Sequence, residues 1–231
     1  MFSWLTLSLV AALAVSSAFA APSARASPDF QPPTKTTGCP VSASVLQKII
    51  PPGQTALVAP SSPPKFVGLG VGVQNYTCSP AGTFTNIGAY AELFDISCIA
   101  AAPIQTAAYN VWLASPQTTQ QLVDTFGDLP FILGQHYFIA NPTPGGANVP
   151  KFDFTSDRFK GDPTKFVIAA RVGDIPAPTG PQDIDWLELN RTSGDLANQI
   201  FRVNTVAGTD SAACTAGQTA SVKYVAKYFF Y

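Results

Sequence analysis

The stretch Ser221-Val222-Lys223-Tyr224-Val225-Ala226-Lys227-Tyr228-Phe229-Phe230-Tyr231 decides the fold class. Val222, Tyr224, Ala226, Tyr228 and Phe230 recur at every second position, the period of a strand with one buried face. Working upstream, Phe66 to Cys78 carries valine and aromatic residues among glycines that permit a bulge or a close backbone approach. Further strands are predicted over residues 86–93, 107–113, 137–140, 166–172, 185–189 and 200–206. These segments do not alternate regularly with helices, which argues against a doubly wound sheet. The chain therefore reads as all-β: a mostly antiparallel β-sandwich or barrel with one or two short helices. Tyr76, Trp186, Tyr224 and Tyr228 are expected to be buried. One helix is expected within residues 41–50, before Pro51-Pro52. A second is expected from a Ser115 cap and Pro116 to a stop at Gly127, with Leu122 and Phe126 on one side. Residues 141–150 read as a long Pro/Gly loop, a place where function concentrates.

The amino-terminal end sets the compartment. Trp4 to Val15 is an apolar run, and Ala18-Phe19-Ala20 places small residues at both positions a signal peptidase reads. Residues 1–20 are expected to be a signal peptide, 21–38 a flexible leader rich in Pro, Ser, Thr and Ala, and 39–231 a single β domain. The apolar run is too short to span a membrane, and no other reaches that length. Charge is sparse, with 13 basic and 14 acidic residues in the chain. No face is basic enough to grip a phosphate backbone, so nucleic acid is excluded as an expected partner. The chain is expected to be secreted, extracellular or in the cell wall. Four cysteines, Cys39, Cys78, Cys98 and Cys214, imply two disulfides with three possible connectivities. With a single histidine and no paired C-x-x-C, no metal site is expected. Asn75-Tyr76-Thr77 and Asn190-Arg191-Thr192 are glycosylation acceptors suited to an exported chain.

Three constellations bear on chemistry. Gly68, Gly70 and Gly72 approach a dinucleotide fingerprint, yet the next glycine position holds Asn75 and no helix pattern follows. No cofactor is expected. His136 is a candidate general base, although no G-x-S-x-G elbow supplies a nucleophile. Asp183-Ile184-Asp185-Trp186-Leu187-Glu188 resembles the E-x-D-x-x-E strand of laminarinase-like glycoside hydrolases. There two glutamates act as nucleophile and acid around an aspartate. Retaining chemistry needs its two carboxyl groups about 5 Å apart. Asp183, one methylene shorter than glutamate, would draw its carboxylate back. The competing reading is a polar turn feeding a strand. Asp153, Asp157 and Asp162 lack calcium-loop spacing and read as a solvated loop with Arg158 and Lys160.

A wider resemblance spans residues 41–231. It is carried in order by Gly72-Val73-Gln74-Asn75-Tyr76-Thr77-Cys78, Gly134-Gln135-His136, Asp185-Trp186-Leu187-Glu188-Leu189, Arg202-Val203-Asn204-Thr205-Val206-Ala207-Gly208, Cys214 and the carboxy-terminal strand. This set is similar to a family of secreted fungal and bacterial proteins classed as a domain of unknown function. Some fungal members of that family bear the label "malate dehydrogenase". The resemblance carries no activity and no catalytic residues. It implies a Cys78–Cys214 disulfide, because bacterial relatives keep equivalents of that pair, and leaves Cys39 with Cys98. A compact Cys78–Cys98 loop stays open as the alternative. The same relatives are apolar around Trp186, which counts against a glycosidase strand. An NAD-dependent malate dehydrogenase is not expected, since neither a nucleotide cradle nor a βαβ rhythm is present. The function expected is therefore a non-enzymatic domain that meets wall polysaccharide or a surface protein. The alternative is an extracellular hydrolase, glycoside hydrolase-like, using His136 or the 183–188 strand.

Overall fold

A computed structural model describes residues Thr37–Tyr231; the proposed signal peptide and nearly all of the leader lie outside these residues. Eight antiparallel strands follow one another around a closed barrel. They are β1 (Phe66–Cys78), β2 (Phe84–Asp95), β3 (Ile132–Ile139), β4 (Val149–Asp153), β5 (Phe166–Ile175), β6 (Trp186–Ser193), β7 (Gln199–Ala207) and β8 (Thr219–Phe230). The barrel closes where β8 returns along the whole of β1, from Phe66 opposite Phe230 to Thr77 opposite Thr219. Closure gives every strand a partner on each side, although β4 meets β5 only from Lys151 opposite Ile168 to Asp153 opposite Phe166.

Two cores result. Inside the barrel, Tyr224, Ala226, Tyr228 and Phe230 of β8 pack with Leu93, Leu133, Phe152, Phe154 and Ile200. Outside it, Val225 and Phe229 join Val67, Leu69, Val71, Phe201 and Val203 beneath a layer of helices. The alternation in β8 predicts one buried face; from Tyr224 onward both faces are buried. The expected burial of Tyr76, Trp186, Tyr224 and Tyr228 holds, with exposures of 7%, 4%, 0% and 1%.

The β1 glycines explain how so many aromatics fit. Gly68, Gly70 and Gly72 lie opposite Tyr228, Ala226 and Tyr224. A Cβ on Gly70 would stand 2.6 Å from Tyr228 Cε2, and one on Gly72 would stand 2.0 Å from the Tyr90 carbonyl oxygen. The G-x-G-x-G run thus makes room for neighbouring rings and backbone within a strand.

The outer layer holds α1 (Ser44–Ile49), α2 (Gln105–Ala114) and α3 (Thr119–Phe126). Residues 107–113, read as a strand, belong to α2. Their valine and aromatic content suited a strand, but the segment packs on the barrel through Trp112, whose indole donates to the Gly72 carbonyl at 2.7 Å, while Val111 and Leu113 face solvent. Helix α3 begins three residues later than a Ser115 cap would set it. Thr118 and Gln121 form a reciprocal capping box, and Gly127 ends the helix as expected. Strand β4 takes the last two residues of the stretch read as loop. It also takes Asp153, which pairs with Lys151 at 2.7 Å instead of lying in a solvated loop.

Two disulfides join Cys39 to Cys98 and Cys78 to Cys214. This is the pairing the resemblance implied; the Cys78–Cys98 loop does not form. Among the described residues no helix is long and apolar enough to cross a membrane.

Candidate functional site

The barrel is filled unevenly. Toward the start of β1, rings plug it: Phe66 lies edge-on to Phe154 and Phe159, and Phe230 packs on Phe152 and Phe154. Toward the end of β1 it opens into a cleft of about 620 Å³. That volume falls in the range of small-molecule sites, and eight-stranded barrels are wide enough to hold one such ligand. The wall takes residues from seven strands, β1 through β7. Leu187, Leu189, Ala169 and Phe138 supply apolar surface; Asn86, Asn148, Asp185 and Arg171 supply polar groups toward solvent. Asn141, Asn148 and Pro150 bring the β3–β4 segment to the rim, so the loop singled out in the sequence borders the cleft.

The floor is more strongly built. Tyr76 donates its hydroxyl proton to the Gly208 carbonyl at 2.6 Å, tying β1 to the end of β7. Asn86 donates to Gln74 Oε1 at 2.9 Å, which fixes that side-chain amide with its nitrogen on the other side. Gln74 is 3% exposed; its Nε2 meets no acceptor in hydrogen-bond geometry, and its amide lies beside the Tyr224 hydroxyl, whose ionised form it favours. The Tyr224 and Tyr228 hydroxyls bond each other at 2.9 Å. Arg202 rises from β7 opposite Tyr228, and its Nε and Nη2 donate to the Asp185 carbonyl at 3.1 and 2.9 Å.

His136 lies in the barrel wall, stacked on Phe152 with centroids 4.2 Å apart. Its Nδ1 faces the Lys151 carbonyl at 3.0 Å, so the neutral ring carries its proton there. Burial, chiefly, holds its pKa down to about 4, with the Arg202 charge lowering it further. No carboxylate or nucleophile contacts this ring among the hydrogen bonds of the described residues. The Tyr224 and Tyr228 hydroxyls are likewise pushed above their ordinary value by burial.

The three acids of the 183–188 stretch point to different places. Asp183 is buried and accepts from Thr179 Oγ1, Gln182 Nε2 and the Ala207 amide. Ala207 has φ of 59°, a left-handed conformation that costs a residue with a Cβ, and Asp183 is what anchors it. Glu188 lies on the outer face, accepting from the Val58 amide at 2.8 Å and from Gln199 Nε2 at 2.7 Å. Only Asp185 borders the cleft. The fold therefore does not assemble His136, Asp183, Asp185 and Glu188 into one constellation.

Among the described residues no group of three His, Cys, Asp or Glu side chains could hold a metal ion. Asn190 is exposed on β6; Asn75 is half-buried on β1 and accepts from Ser221 Oγ at 2.7 Å. A separate acid, Glu92 of β2, is fully buried on the outer face, accepting from Gln135 Nε2 at 3.2 Å. Burial, with Asp157 nearby, raises its pKa to about 8.

Sequence reasoning did not single out Gln74 and Arg202. Both occur in the ordered set that carried the family resemblance. Hydrophobic periodicity did not mark them as inward-facing: Gln74 is a polar residue at a buried position of β1, and in β7 the buried apolar neighbours of Arg202, Phe201 and Val203, face outward.

A family model described as a protein of unknown function (DUF3455) matches residues 59–231. No curated protein matches the chain. No solved structure matches it.

Proposed function

The chain belongs to the family described as a protein of unknown function (DUF3455), and we propose that it is an exported, non-enzymatic β-barrel domain. It acts at the cell wall or outer surface by holding a ligand in the open barrel mouth. One observation carries the reading: a concave cleft with a built polar floor, reached by none of the acid–base candidates except Asp185. Two disulfides are compatible with an oxidising compartment. The export signal at residues 1–20 and the acceptors Asn75 and Asn190 support the same location. Alternating amide, hydroxyl and apolar groups in the cleft suit the edges and faces of a wall saccharide better than a purely apolar guest.

Purified, secreted protein tested on a polysaccharide and oligosaccharide array decides the matter. Binding that is lost when Asn86 and Asn148 are changed to bulky residues supports the reading. Absence of binding to any wall glycan or surface extract overturns it. The competing reading is an extracellular hydrolase using His136 or the 183–188 strand. A broad hydrolase screen with His136→Ala and Glu188→Gln separates the two, since activity abolished by either change would favour the enzyme.

A further inference from the structure

We propose that the floor of the mouth is a carboxylate-binding subsite formed by Arg202 and Gln74, so that the ligand carries an acidic group. This rests on the reading of the mouth as a binding site and names the chemistry of its guest.

Arg202 is half-buried at the cleft floor. Its guanidinium takes part in none of the ion pairs of the described residues, which join Lys151 to Asp153, Lys165 to Asp162, Arg171 to Asp174 and Arg191 to Asp195. The groups that contact it are dipoles: the Asp185 carbonyl and the Tyr228 hydroxyl. Dipoles orient the fork without neutralising it, and a cation drawn partly out of water is otherwise expected to be paired. Arg171, the other arginine lining the cleft, is already paired at 2.7 Å.

Gln74 is the second, independent observation. Its Nε2 is a buried donor without an acceptor, and Asn86 holds its oxygen side. Leaving a buried donor unmet carries the desolvation cost of that group, so such a group marks a place for an acceptor. Arg202 and Gln74 both line the cleft; Arg202 has donors only, and the oxygen of Gln74 is taken by Asn86, which leaves its donors. A carboxylate is acceptor-only and matches a planar guanidinium fork. Asp185, whose side chain is exposed at the rim, is screened by water and can accept from hydroxyls of the same ligand. Two sources fit: a uronic acid unit of a saccharide, or a free organic acid.

The test is calorimetric titration of the folded, disulfide-bonded chain with three probes: a galacturonate trimer, the neutral galactose trimer and succinate. The acidic trimer should bind at least tenfold more tightly than the neutral one, and its affinity should fall as salt rises. Tight succinate binding at the same site would assign the free-acid source; weak succinate binding would assign the saccharide. Arg202→Gln should abolish the preference, whereas Arg202→Lys should retain part of it. Equal binding of the two trimers, or a preference that survives Arg202→Gln, overturns the carboxylate subsite and leaves the mouth as a binding site. Failure of all three probes overturns the subsite; the binding reading then stands or falls on the wider array. If Arg202→Gln does not fold, the salt-dependent preference of the unmodified chain still decides.

Discussion

Gly70 shows how one atom bears on the whole barrel. Gly70→Ala would place its methyl against the Tyr228 ring and Leu93 Cδ2. Overpacking of this kind costs about 1–3 kcal/mol, so urea unfolding of the variant should show a lower midpoint with an unchanged slope. Glu92 and His136 are buried groups whose effects on stability oppose each other. Glu92 has a folded pKa of about 8 against 4.5 unfolded, so its stabilising contribution is complete below pH 4.5 and is lost as pH rises to 8. His136, at about 4 against 6.5, contributes in the other direction: stability is lost as pH falls from 6.5 to 4. Between pH 6.5 and 8 only Glu92 acts of the two. Stability of the native chain should therefore fall across that window. Glu92→Gln should flatten the fall, raising Tm at pH 8 by roughly 5 °C and changing little at pH 4.

Helix α2 depends on its surroundings more than on its own sequence. Val111 and Leu113 face solvent, and Trp112 is its only buried residue. Two lysines on the outer face of β8 hold both of its ends. Lys223 Nζ donates to the Trp112 and Ser115 carbonyls at 2.8 and 2.6 Å and lies 4.3 Å from the Trp112 ring centroid. A cation at a helix carboxy terminus also meets the negative end of the helix dipole. Lys227 Nζ, buried and with its pKa lowered to about 8, donates to the Ala100 and Ala102 carbonyls just before the helix. Lys223→Ala should speed amide exchange of residues 105–114 by tenfold or more, while amides of β1 and β8 keep their protection. Uniform acceleration across the barrel would contradict this account.

At the scale of the molecule, closure and cross-linking act together. Cys78–Cys214 spans 136 residues and ties the end of β1 to the loop before β8, beside the open mouth. Cys39–Cys98 spans 59 residues and fastens the amino-terminal segment to the end of β2. In the chain-entropy model these loops are worth about 5 and about 4 kcal/mol. Replacing Cys78 and Cys214 by serine should lower stability by up to that amount and weaken ligand binding at the mouth. The Cys39→Ser/Cys98→Ser pair should instead leave the mouth intact and expose residues 40–65 to protease. Circular dichroism should stay β-dominated in both, because the barrel's hydrogen bonds close without either bridge.

Much of the architecture was legible because strand periodicity and turn residues are local. The segment 66–78 stood out by composition, and the alternation of Tyr224, Ala226, Tyr228 and Phe230 marked the inward face of β8. Local signals also misled. Ala107 to Leu113 has strand-like residues but became helix, because what it packs is a single side chain, Trp112, against the outside of the barrel. Pro150 hid the short β4, where it sits near the strand start and withholds no essential donor. The disulfide partners came from likeness to relatives, not from spacing. What the amino-acid sequence determined alone was the all-β class, the two-residue alternation of β8 and the cysteine count. Tertiary structure alone decided which acids share a face. Asp183 and Glu188 are five residues apart, yet one anchors Ala207 and the other binds Val58 outside the barrel. It also brought Gln74 and Arg202 to one floor, because that meeting depends on how eight strands close and not on any spacing along the chain.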